Sequence, residues 1–410
     1  MVHILASHLR SEFLAVPALV RFDMAHGENG PEPTLLIKAP SLSLKYLLRR
    51  QSLRFMVMRI GQKIAYAVEI PDDPNYPASA WSLLELPNEA LALKTLIANP
   101  RCVIFLFNEL AVSVAWTELD IRIDASLEDA IDAVEFHTET IRNDAKLVCI
   151  RLDEIRTNTS APETQLLSFA GIAWHELHAT YITNQAGSSS LSLFNKDEGG
   201  QQEEIAVWLT DNLDPEGSVK SPQVQEKIPR ELSDILLSYE FGAILIESKS
   251  LSVLTRDNLP DRNKLASDLS KHITKAARQL VGGVRNLKNG LEVKDAAGRV
   301  LNIERDKPVQ AIILVPDLAL FQDATEFGME FIYRFMEATG GFLHILDPVE
   351  LLRIVQAAEM ISENSERLTK MMAFDWYLME RVKFSIKSPT PHFAVLFRRG
   401  HDGLTVPASP

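Results

Sequence analysis

The feature that most constrains the fold is a run of aliphatic residues that ends in two charged ones. Residues 243–249 read Ala-Ile-Leu-Ile-Glu-Ser-Lys. An uninterrupted aliphatic run of this length is typical of a buried β-strand rather than of a strand with one solvated face. Glu247 and Lys249 therefore indicate the point at which buried strands open onto a site.

The preceding residues predict a hairpin that brings a second carboxylate beside the first. Residues 234–249 have a turn-like centre with a glycine, so they are predicted to pair as antiparallel strands around a four-residue loop. The loop closes with Ser238 opposite Ala243. This register places Asp234 opposite Glu247, and directly opposed residues have Cβ atoms about 4.5 to 5.5 Å apart.

Three charged groups are thus predicted to converge. Lys249 lies on the same face as Glu247, because side chains on a strand alternate with a period of two. Two carboxylates at this distance repel each other and lose hydration on burial unless cations lie between them. Lys249 supplies one positive charge and a divalent ion would supply the rest, with oxygen ligands favouring Mg²⁺ or Mn²⁺ over Zn²⁺. Asp234 and Glu247 are the predicted metal ligands, in a site suited to phosphodiester hydrolysis.

A basic helix follows the predicted site. Residues 269–288 have a helical pattern with five Lys or Arg residues and no acid. One stripe of this helix, here called the basic ridge, consists of Lys271, Lys275, Arg278 and Arg285. Gln279 flanks the ridge. The opposite, core-facing side consists of Ile273, Ala276, Leu280, Val284 and Leu287. Such a ridge is suited to holding a phosphate backbone. The pair Gly282 and Gly283 either permits a close approach or ends the helix.

The order of these residues resembles the PD-(D/E)xK superfamily of restriction-endonuclease-like nucleases. It is similar in particular to uncharacterised bacterial proteins of that superfamily, over about residues 225–390. The matching residues, in chain order, are Glu231, Asp234, Glu247, Lys249, Lys275, Gln279 and Leu280. One departure is that Ser233 stands where the superfamily motif has proline before Asp234.

The resemblance implies a fold and roles for the residues that match. It implies a restriction-endonuclease-like mixed sheet flanked by helices, in which the acidic pair binds the metal and Lys249 serves the attacking water. Glu231, on a preceding helix, would complete the outer shell of the metal. Gln279 would orient site groups or contact the nucleic-acid backbone.

The remaining sequence predicts two domains of different character. Residues 1–195 contain short strand patterns interrupted by helical ones and predict a separate strand-rich α+β domain. Residues 196–228 are rich in Gly, Ser, Pro and Gln and predict a linker with a short helix. Residues 229–410 alternate strands with helices and predict the α/β nuclease-like domain.

Composition limits the location and the partners. A net charge of −13 argues against nonspecific coating of nucleic acid, although a local basic surface remains compatible with it. No signal-peptide pattern and no run of about 18 apolar residues occurs, so no membrane contact is expected. Cys102 and Cys149 lie in apolar, strand-like contexts and are predicted to be buried, reduced thiols. The cytoplasm is the expected compartment.

The expected function is a metal-dependent nuclease, with DNA favoured over RNA as the substrate but RNA not excluded. The resemblance implies a homo-oligomer such as a dimer, and by analogy a role in bacterial defence against foreign DNA. Residues 1–195 would then select substrate, sense a signal or mediate assembly. Two alternatives stay open: a non-catalytic interaction or scaffold protein that retains the fold, and a nucleic-acid-binding module without turnover.

Overall fold

The chain forms two compact units in a computed structural model. The structure describes residues 3, 5–16, 18–27, 30–73, 77–134, 136, 141–157, 163–178, 180–184, 187–225, 229–321, 325–363, 367–393, 398–400 and 403–405. Unit 1 comprises the described residues of Met1–Thr180 and Ser192–Phe194, and unit 2 those of Tyr181–Leu191 and Asn195–Pro410. Helices and mixed sheets occur throughout, which confirms the α/β class in this broad sense. None of the helices in the described ranges is both long and apolar enough to cross a lipid bilayer.

Unit 1 contains two sheets with helices packed on them. Its strands are β1 (Leu19–Gly27), β2 (Gly30–Lys38), β3 (Ser52–Ile60), β4 (Lys63–Ile70), β5 (Ala78–Leu83), β6 (Arg101–Phe107), β7 (Ser113–Asp120), β8 (Thr164–Ala170) and β9 (His175–Glu176). Its helices are α1 (Ser7–Ala15), α2 (Ser41–Arg50), α3 (Pro87–Ala98), α4 (Glu128–Asp132) and α5 (Ile141–Thr157), with a 3₁₀ turn at Ala125–Leu127. The sheets have the strand orders β1-β2-β6-β7-β9 and β5-β4-β3-β8.

Helix α5 shows how unit 1 buries its core and corrects one prediction. Val148, Leu152 and Ile155 are spaced four and three residues apart, so they share one face of the helix and pack against β3 and β4. Cys149 follows Val148 by one residue, which turns it away from that face, and it is exposed. The prediction of a buried strand residue is therefore wrong for Cys149, whereas Cys102 in β6 is buried as predicted.

Unit 2 is built around a mixed five-stranded sheet. Its strands are β10 (Thr180–Asn184), β11 (Gly187–Leu191), β12 (Gly217–Lys220), β13 (Gln223–Val224), β14 (Arg230–Glu231), β15 (Ile235–Tyr239), β16 (Gly242–Ser248), β17 (Val293–Lys294), β18 (Gln310–Leu314), β19 (Phe342–Leu346), β20 (Arg398–Gly400) and β21 (Gly403–Thr405). Its helices are α6 (Glu198–Asp211), α7 (Arg262–Lys288), α8 (Met329–Thr339), α9 (Pro348–Glu363) and α10 (Lys370–Ser385), with a 3₁₀ turn at Leu318–Phe321. The main sheet has the order β12-β15-β16-β18-β19, and a small sheet has the order β14-β13-β17.

The central strand of the main sheet is the aliphatic run from which the sequence analysis began. All seven residues of β16 are buried, which confirms the predicted buried strand. β16 pairs antiparallel with β15 and parallel with β18, and β18 pairs parallel with β19. The parallel pair β16 and β18 is connected through α7, which packs on both strands. The carboxyl end of β16 therefore leads from the middle of the sheet to Lys249.

The range that was predicted to be a linker belongs to unit 2. Strand β12 pairs with β15, from Gly217 opposite Ser238 to Lys220 opposite Ile235. Helix α6 packs against β12, β16 and α9. Residues 198–220 thus form an edge of the sheet and a covering helix, and the turn-forming residues between these short elements produced the linker-like composition. Residues 226–228 of the same range lie outside the described residues.

Candidate active site

The β15–β16 hairpin has the predicted register but a shorter loop. Ser238 lies opposite Ala243 as predicted, which places Asp234, just before β15, next to the end of β16. Tyr239 also pairs with Gly242, so the loop contains two residues instead of four. A Cβ atom on Gly242 would lie 3.2 to 3.4 Å from the phenol group of Tyr239, and the absence of that atom allows the tighter closure.

The three predicted charged groups meet at the carboxyl end of β16. The Lys249 ammonium lies 2.7 Å from Glu247 Oε2 and 3.4 Å from Asp234 Oδ2. The backbone N–H of Ser248 donates to the same Asp234 oxygen at 2.6 Å, which fixes the aspartate against the strand. Asp234, Glu247 and Lys249 are called the Lys249 cluster below.

The Lys249 cluster lies at the boundary between the core and solvent. Glu247 is 2% exposed, because β16 carries it inside the sheet. The side chains of Lys249 and Asp234 are 17% and 14% exposed, so both reach the surface. The cluster is thus partly desolvated, which strengthens charge interactions within it, while a small ligand can still approach it.

The cluster leaves the charge of Glu247 incompletely balanced. Burial, together with the nearby charge of Asp234, raises the pKa of Glu247 to about 7, although Lys249 opposes this shift. Burial acts to lower the pKa of Lys249, but Glu247 and Asp234 outweigh it and raise that pKa above its usual value. At neutral pH the lysine is protonated, and Glu247 is close to its titration point.

A further carboxylate near the cluster was not predicted from the sequence. Glu203 lies on α6, and its pKa is raised by burial and by the charges of Asp234 and Glu231, against the opposing effect of Lys220. The Lys220 ammonium lies 3.3 Å from Glu203 Oε2. The only sequence signal was a Glu-Glu pair in a short helical pattern, and the assignment of that pattern to a linker concealed its position.

The structure places Glu231 differently from the prediction. Glu231 was predicted on a helix before the hairpin, but it lies in the two-residue strand β14, opposite Gln223, and it is exposed. Its charge still acts at a distance to raise the pKa values of Glu247 and Glu203, after the larger effects of burial and of Asp234. Glu203 lies on α6, a helix that precedes the hairpin.

Helix α7 has the two-sided character predicted for it. The core-facing residues are Ile273, Ala276, Leu280, Val284 and Leu287, and all are buried. The four basic-ridge residues are all exposed, with Lys271 3.6 Å from Asp268. The helix begins at Arg262 rather than at residue 269, because Asp261 caps it by accepting from the Lys264 backbone N–H at 2.7 Å.

Neither glycine of α7 ends the helix, and Gly283 marks a close approach. The helix continues through them to Lys288. A Cβ atom on Gly283 would lie 2.9 Å from the Leu232 carbonyl oxygen, so glycine lets α7 pack directly against the segment that leads to Asp234. Gln279 is exposed on α7, and within the described residues no hydrogen bond or ion pair joins it to the Lys249 cluster. Its predicted role at the site is not supported by these contacts.

The donor set of the cluster fits a hard divalent ion. Across the ranges that the structure describes, no group of three or more His, Cys, Asp or Glu side chains lies close enough together to hold a metal ion. Mg²⁺ does not require such a group, because one or two carboxylates commonly hold it together with waters and substrate phosphates. Asp234 and Glu247 supply two such carboxylates, and their mutual charge is only partly balanced by Lys249. The chemistry of the pair therefore fits Mg²⁺ or Mn²⁺.

The geometry of the Lys249 cluster is the basis for a functional inference. Two carboxylates and one ammonium group from a single hairpin meet at its accessible end. Comparisons of the chain with protein-family models, with curated proteins and with solved structures found no match.

Proposed function

We propose that unit 2 is a metal-dependent nuclease that hydrolyses phosphodiester bonds, with DNA as the substrate, and that it is related to the PD-(D/E)xK superfamily. The observation that carries the proposal is the meeting of Asp234, Glu247 and Lys249 at the open end of a buried hairpin. The mixed sheet with helices packed on it agrees with a restriction-endonuclease-like domain. Within the described residues, Lys249 is the one hydrogen-bond donor to Glu247, so this buried carboxylate keeps acceptor positions for a metal ion.

Asp234 and Glu247 would hold the metal ion in this proposal, and Glu203 is a further carboxylate on a preceding helix. Bound Mg²⁺ or Mn²⁺ would supply a more acidic water and would balance the charge that develops on the phosphoryl group. The Ser248 N–H would keep the Asp234 carboxylate in place during the reaction.

Lys249 would act as a hydrogen-bond donor and as a positive charge. Its pKa is raised, since Glu247 and Asp234 outweigh the opposing effect of burial. The protonated lysine would orient the attacking water and would stabilise a negatively charged phosphoryl oxygen. This assigns the lysine to electrostatic stabilisation within the proposed mechanism.

The basic ridge would hold the phosphate backbone of the substrate. Its four cations are exposed on one side of α7, and a local positive surface is needed because the whole chain carries a charge of −13. The superfamily resemblance favours DNA, a homo-oligomer such as a dimer, and a role in defence against foreign DNA. In this scheme unit 1 recognises the substrate, regulates the nuclease or mediates assembly.

One alternative has support from the same region. A nucleic-acid-binding module without turnover would use the exposed basic ridge. Such a module needs no metal ion, and no group of three metal-ligating side chains occurs among the described residues. An interaction or scaffold protein would use neither the ridge nor the cluster. A single experiment separates these three functions.

The test is to incubate the full chain with DNA and with RNA, in Mg²⁺ or in EDTA, beside two lysine variants. Lys249→Ala removes the central cation, and Lys383→Ala removes an exposed lysine on α10 that pairs with Glu380. We expect Mg²⁺-dependent cleavage that falls about 10² to 10⁴-fold in Lys249→Ala and is unchanged in Lys383→Ala.

Other outcomes would contradict the proposed nuclease function. Binding of nucleic acid without cleavage by the unmodified chain would establish the binding module instead. Neither binding nor cleavage would leave the scaffold. Cleavage that survives in EDTA and in Lys249→Ala would exclude the proposed site as its source.

A further inference from the structure

Helix α7 carries a half-buried histidine that the proposed mechanism does not use. His272 Nδ1 lies 3.2 Å from the Ser250 carbonyl oxygen, and Ser250 follows Lys249 directly. A carbonyl oxygen only accepts hydrogen bonds, so Nδ1 carries the proton of the neutral ring and donates it. The other ring nitrogen, Nε2, is then a lone-pair acceptor. Within the described residues, no hydrogen bond or ion pair occupies that acceptor.

The face of β16 that carries the Lys249 cluster is turned towards α7. A Cβ atom on Gly283 of α7 would lie 3.1 Å from Leu245 Cδ1, so the Leu245 side chain faces this helix. Side chains on an extended chain alternate with a period of two, so Glu247 and Lys249 project from the same face as Leu245. Helix α7 therefore lies over the face from which two of the three cluster residues project.

Distances along the two elements place His272 at the level of Lys249. The contact of Leu245 with Gly283 and the contact of Ser250 with His272 are five residues apart on the extended chain and eleven apart on α7. Five residues of strand and eleven residues of helix both span about 16.5 Å. The strand and the helix thus run side by side between these contacts. Lys249 is one residue from Ser250 and lies about 3 Å from the level of His272 along the chain.

Gly283 and His272 also lie on one side of α7, because eleven residues make three helical turns and about 20° more. A Cβ atom on Gly283 would meet the Leu232 carbonyl oxygen, two residues before Asp234. This side of α7 therefore contacts the segment that leads to Asp234 at one point and the segment that leaves Lys249 at the other. The Lys249 cluster lies between the two contacts.

The hydrolysis proposed above still lacks a group that accepts a proton. Water attacks phosphorus more readily as it loses a proton, and a positioned side chain accelerates that loss. Asp234 and Glu247 would be engaged with the metal ion, and Lys249 is protonated. Imidazole is the side chain that most often transfers protons at neutral pH. His272 presents a ring nitrogen with a free lone pair beside the cluster.

We propose that His272 is a catalytic residue of unit 2, which accepts the proton of the attacking water at Nε2. The water oxygen bonds to phosphorus as its O–H bond breaks, and the proton goes to the Nε2 lone pair. The P–O bond to the leaving group breaks, that oxygen takes a proton from bulk water, and the ring returns its own proton to solvent. The Nδ1 bond to Ser250 holds the tautomer that this step needs. This inference rests on the nuclease function proposed above.

The test compares His272→Asn, His272→Ala and His8→Asn in the full chain, with DNA and Mg²⁺. The asparagine amide nitrogen takes the place of Nδ1, so His272→Asn keeps a donor for Ser250 and has nothing in place of Nε2. We expect cleavage to fall about 10² to 10⁴-fold in both His272 variants. His8 is exposed on α1, and His8→Asn should cleave like the unmodified chain. The Tm of His272→Asn, and its DNA affinity in EDTA, should match those of the unmodified chain.

Added imidazole separates proton transfer from a structural role. The alanine variant leaves space where the ring was, so free imidazole at constant pH should raise its cleavage by about tenfold or more. Imidazole should not stimulate His8→Asn.

Three results would overturn the inference. Cleavage by His272→Asn at the unmodified rate would leave His272 only an anchor of Ser250. A DNA affinity that falls in step with cleavage would make His272 a binding residue. A His272→Ala variant that does not respond to imidazole would contradict proton transfer. If the unmodified chain showed no Mg²⁺-dependent cleavage, the proposed function itself would fail.

Discussion

Units 1 and 2 each bury a glutamate beside a cation, and the two glutamates are satisfied to very different degrees. Glu89 in unit 1 is 0% exposed, and Glu247 in unit 2 is 2% exposed. Burial raises the pKa of both groups. Burial and a neighbouring cation are therefore common to the two sites and do not distinguish a structural ion pair from a functional one.

The hydrogen bonds of Glu89 use its full accepting capacity. Its carboxylate accepts from Arg21 Nη1 at 2.9 Å, from the Tyr66 hydroxyl at 2.6 Å and from two backbone N–H groups at 2.7 and 2.8 Å. The backbone donors are those of Glu85 and Leu86, just before α3, so Glu89 also caps that helix. A carboxylate has about four lone-pair positions, and all four are occupied here.

The Glu247 carboxylate accepts fewer hydrogen bonds than that of Glu89. Within the described residues, its one hydrogen-bond donor is Lys249, at 2.7 Å. A second carboxylate, Asp234, shares the same lysine. Unused lone pairs in a partly desolvated place are available to a ligand, whereas the saturated carboxylate of Glu89 offers none. The number of unfilled acceptor positions, and not burial or charge, therefore distinguishes Glu247 from Glu89.

Among the variants considered, Glu89→Gln should lose the most stability. The substitution keeps the volume but removes the charge opposite buried Arg21 and turns one accepting oxygen into a donor that faces other donors. Breaking a buried, hydrogen-bonded ion pair on one side costs about 3 to 5 kcal/mol. We expect a loss of about 3 kcal/mol in the free energy of unfolding, measured by urea denaturation. A loss below about 1 kcal/mol would show that the network of unit 1 is not saturated in the way described.

The corresponding substitution in unit 2, Glu247→Gln, should raise the free energy of unfolding instead of lowering it. Burial and Asp234 raise the pKa of Glu247 to about 7 in the folded chain, above its unfolded value. The stability that this group contributes is therefore complete below about pH 4.5 and is lost as the pH rises through about 7. Because the glutamine amide would not titrate, Glu247→Gln should be more stable than the unmodified chain by about 1 to 2 kcal/mol at pH 8, without metal.

The pH dependence makes this second prediction specific. The difference in unfolding free energy between Glu247→Gln and the unmodified chain should shrink when urea denaturation is repeated at pH 5. The variant should also lose Mg²⁺-dependent cleavage, so that greater stability accompanies lower activity. A variant that is destabilised at pH 8 by as much as Glu89→Gln would erase the contrast between the two units.

The sequence contained enough information for the centre of unit 2. The buried strand β16, the Ser238 to Ala243 register and the two faces of α7 follow from local patterns, because they depend on periods of two and 3.6 residues. The meeting of Asp234, Glu247 and Lys249 follows from that register. Each of these predictions needed only the residues of one hairpin or of one helix.

The rest of the site depends on contacts between segments that are distant in sequence. Glu203 approaches Asp234 only because α6 docks on the sheet, and β12, which completes that edge, is four residues long between turns. Glu231 lies on a two-residue strand whose pairing no local pattern indicates. Cys149 was placed in a strand because a short apolar run does not distinguish a strand from one turn of a helix.

The smallest effect on stability is expected for substitutions in the basic ridge. The ridge extends the comparison of the two units to exposed charges, which should matter for binding and not for stability. Lys275 and Arg278 are exposed, so the double substitution of both by alanine should change the free energy of unfolding by less than about 0.5 kcal/mol. The double substitution should nevertheless lower DNA affinity strongly. Each lost phosphate contact reduces the magnitude of the slope of log affinity against log salt by about 0.9. Fluorescence anisotropy at several salt concentrations, in EDTA to prevent cleavage, measures that slope, with Lys383→Ala as the control. A slope that falls by about 2 in the double variant alone would assign both residues to phosphate binding. An unchanged slope would show that α7 does not hold the phosphate backbone of DNA. The proposed function of unit 2 would then depend only on the Lys249 cluster, whose carboxylates keep unfilled acceptor positions.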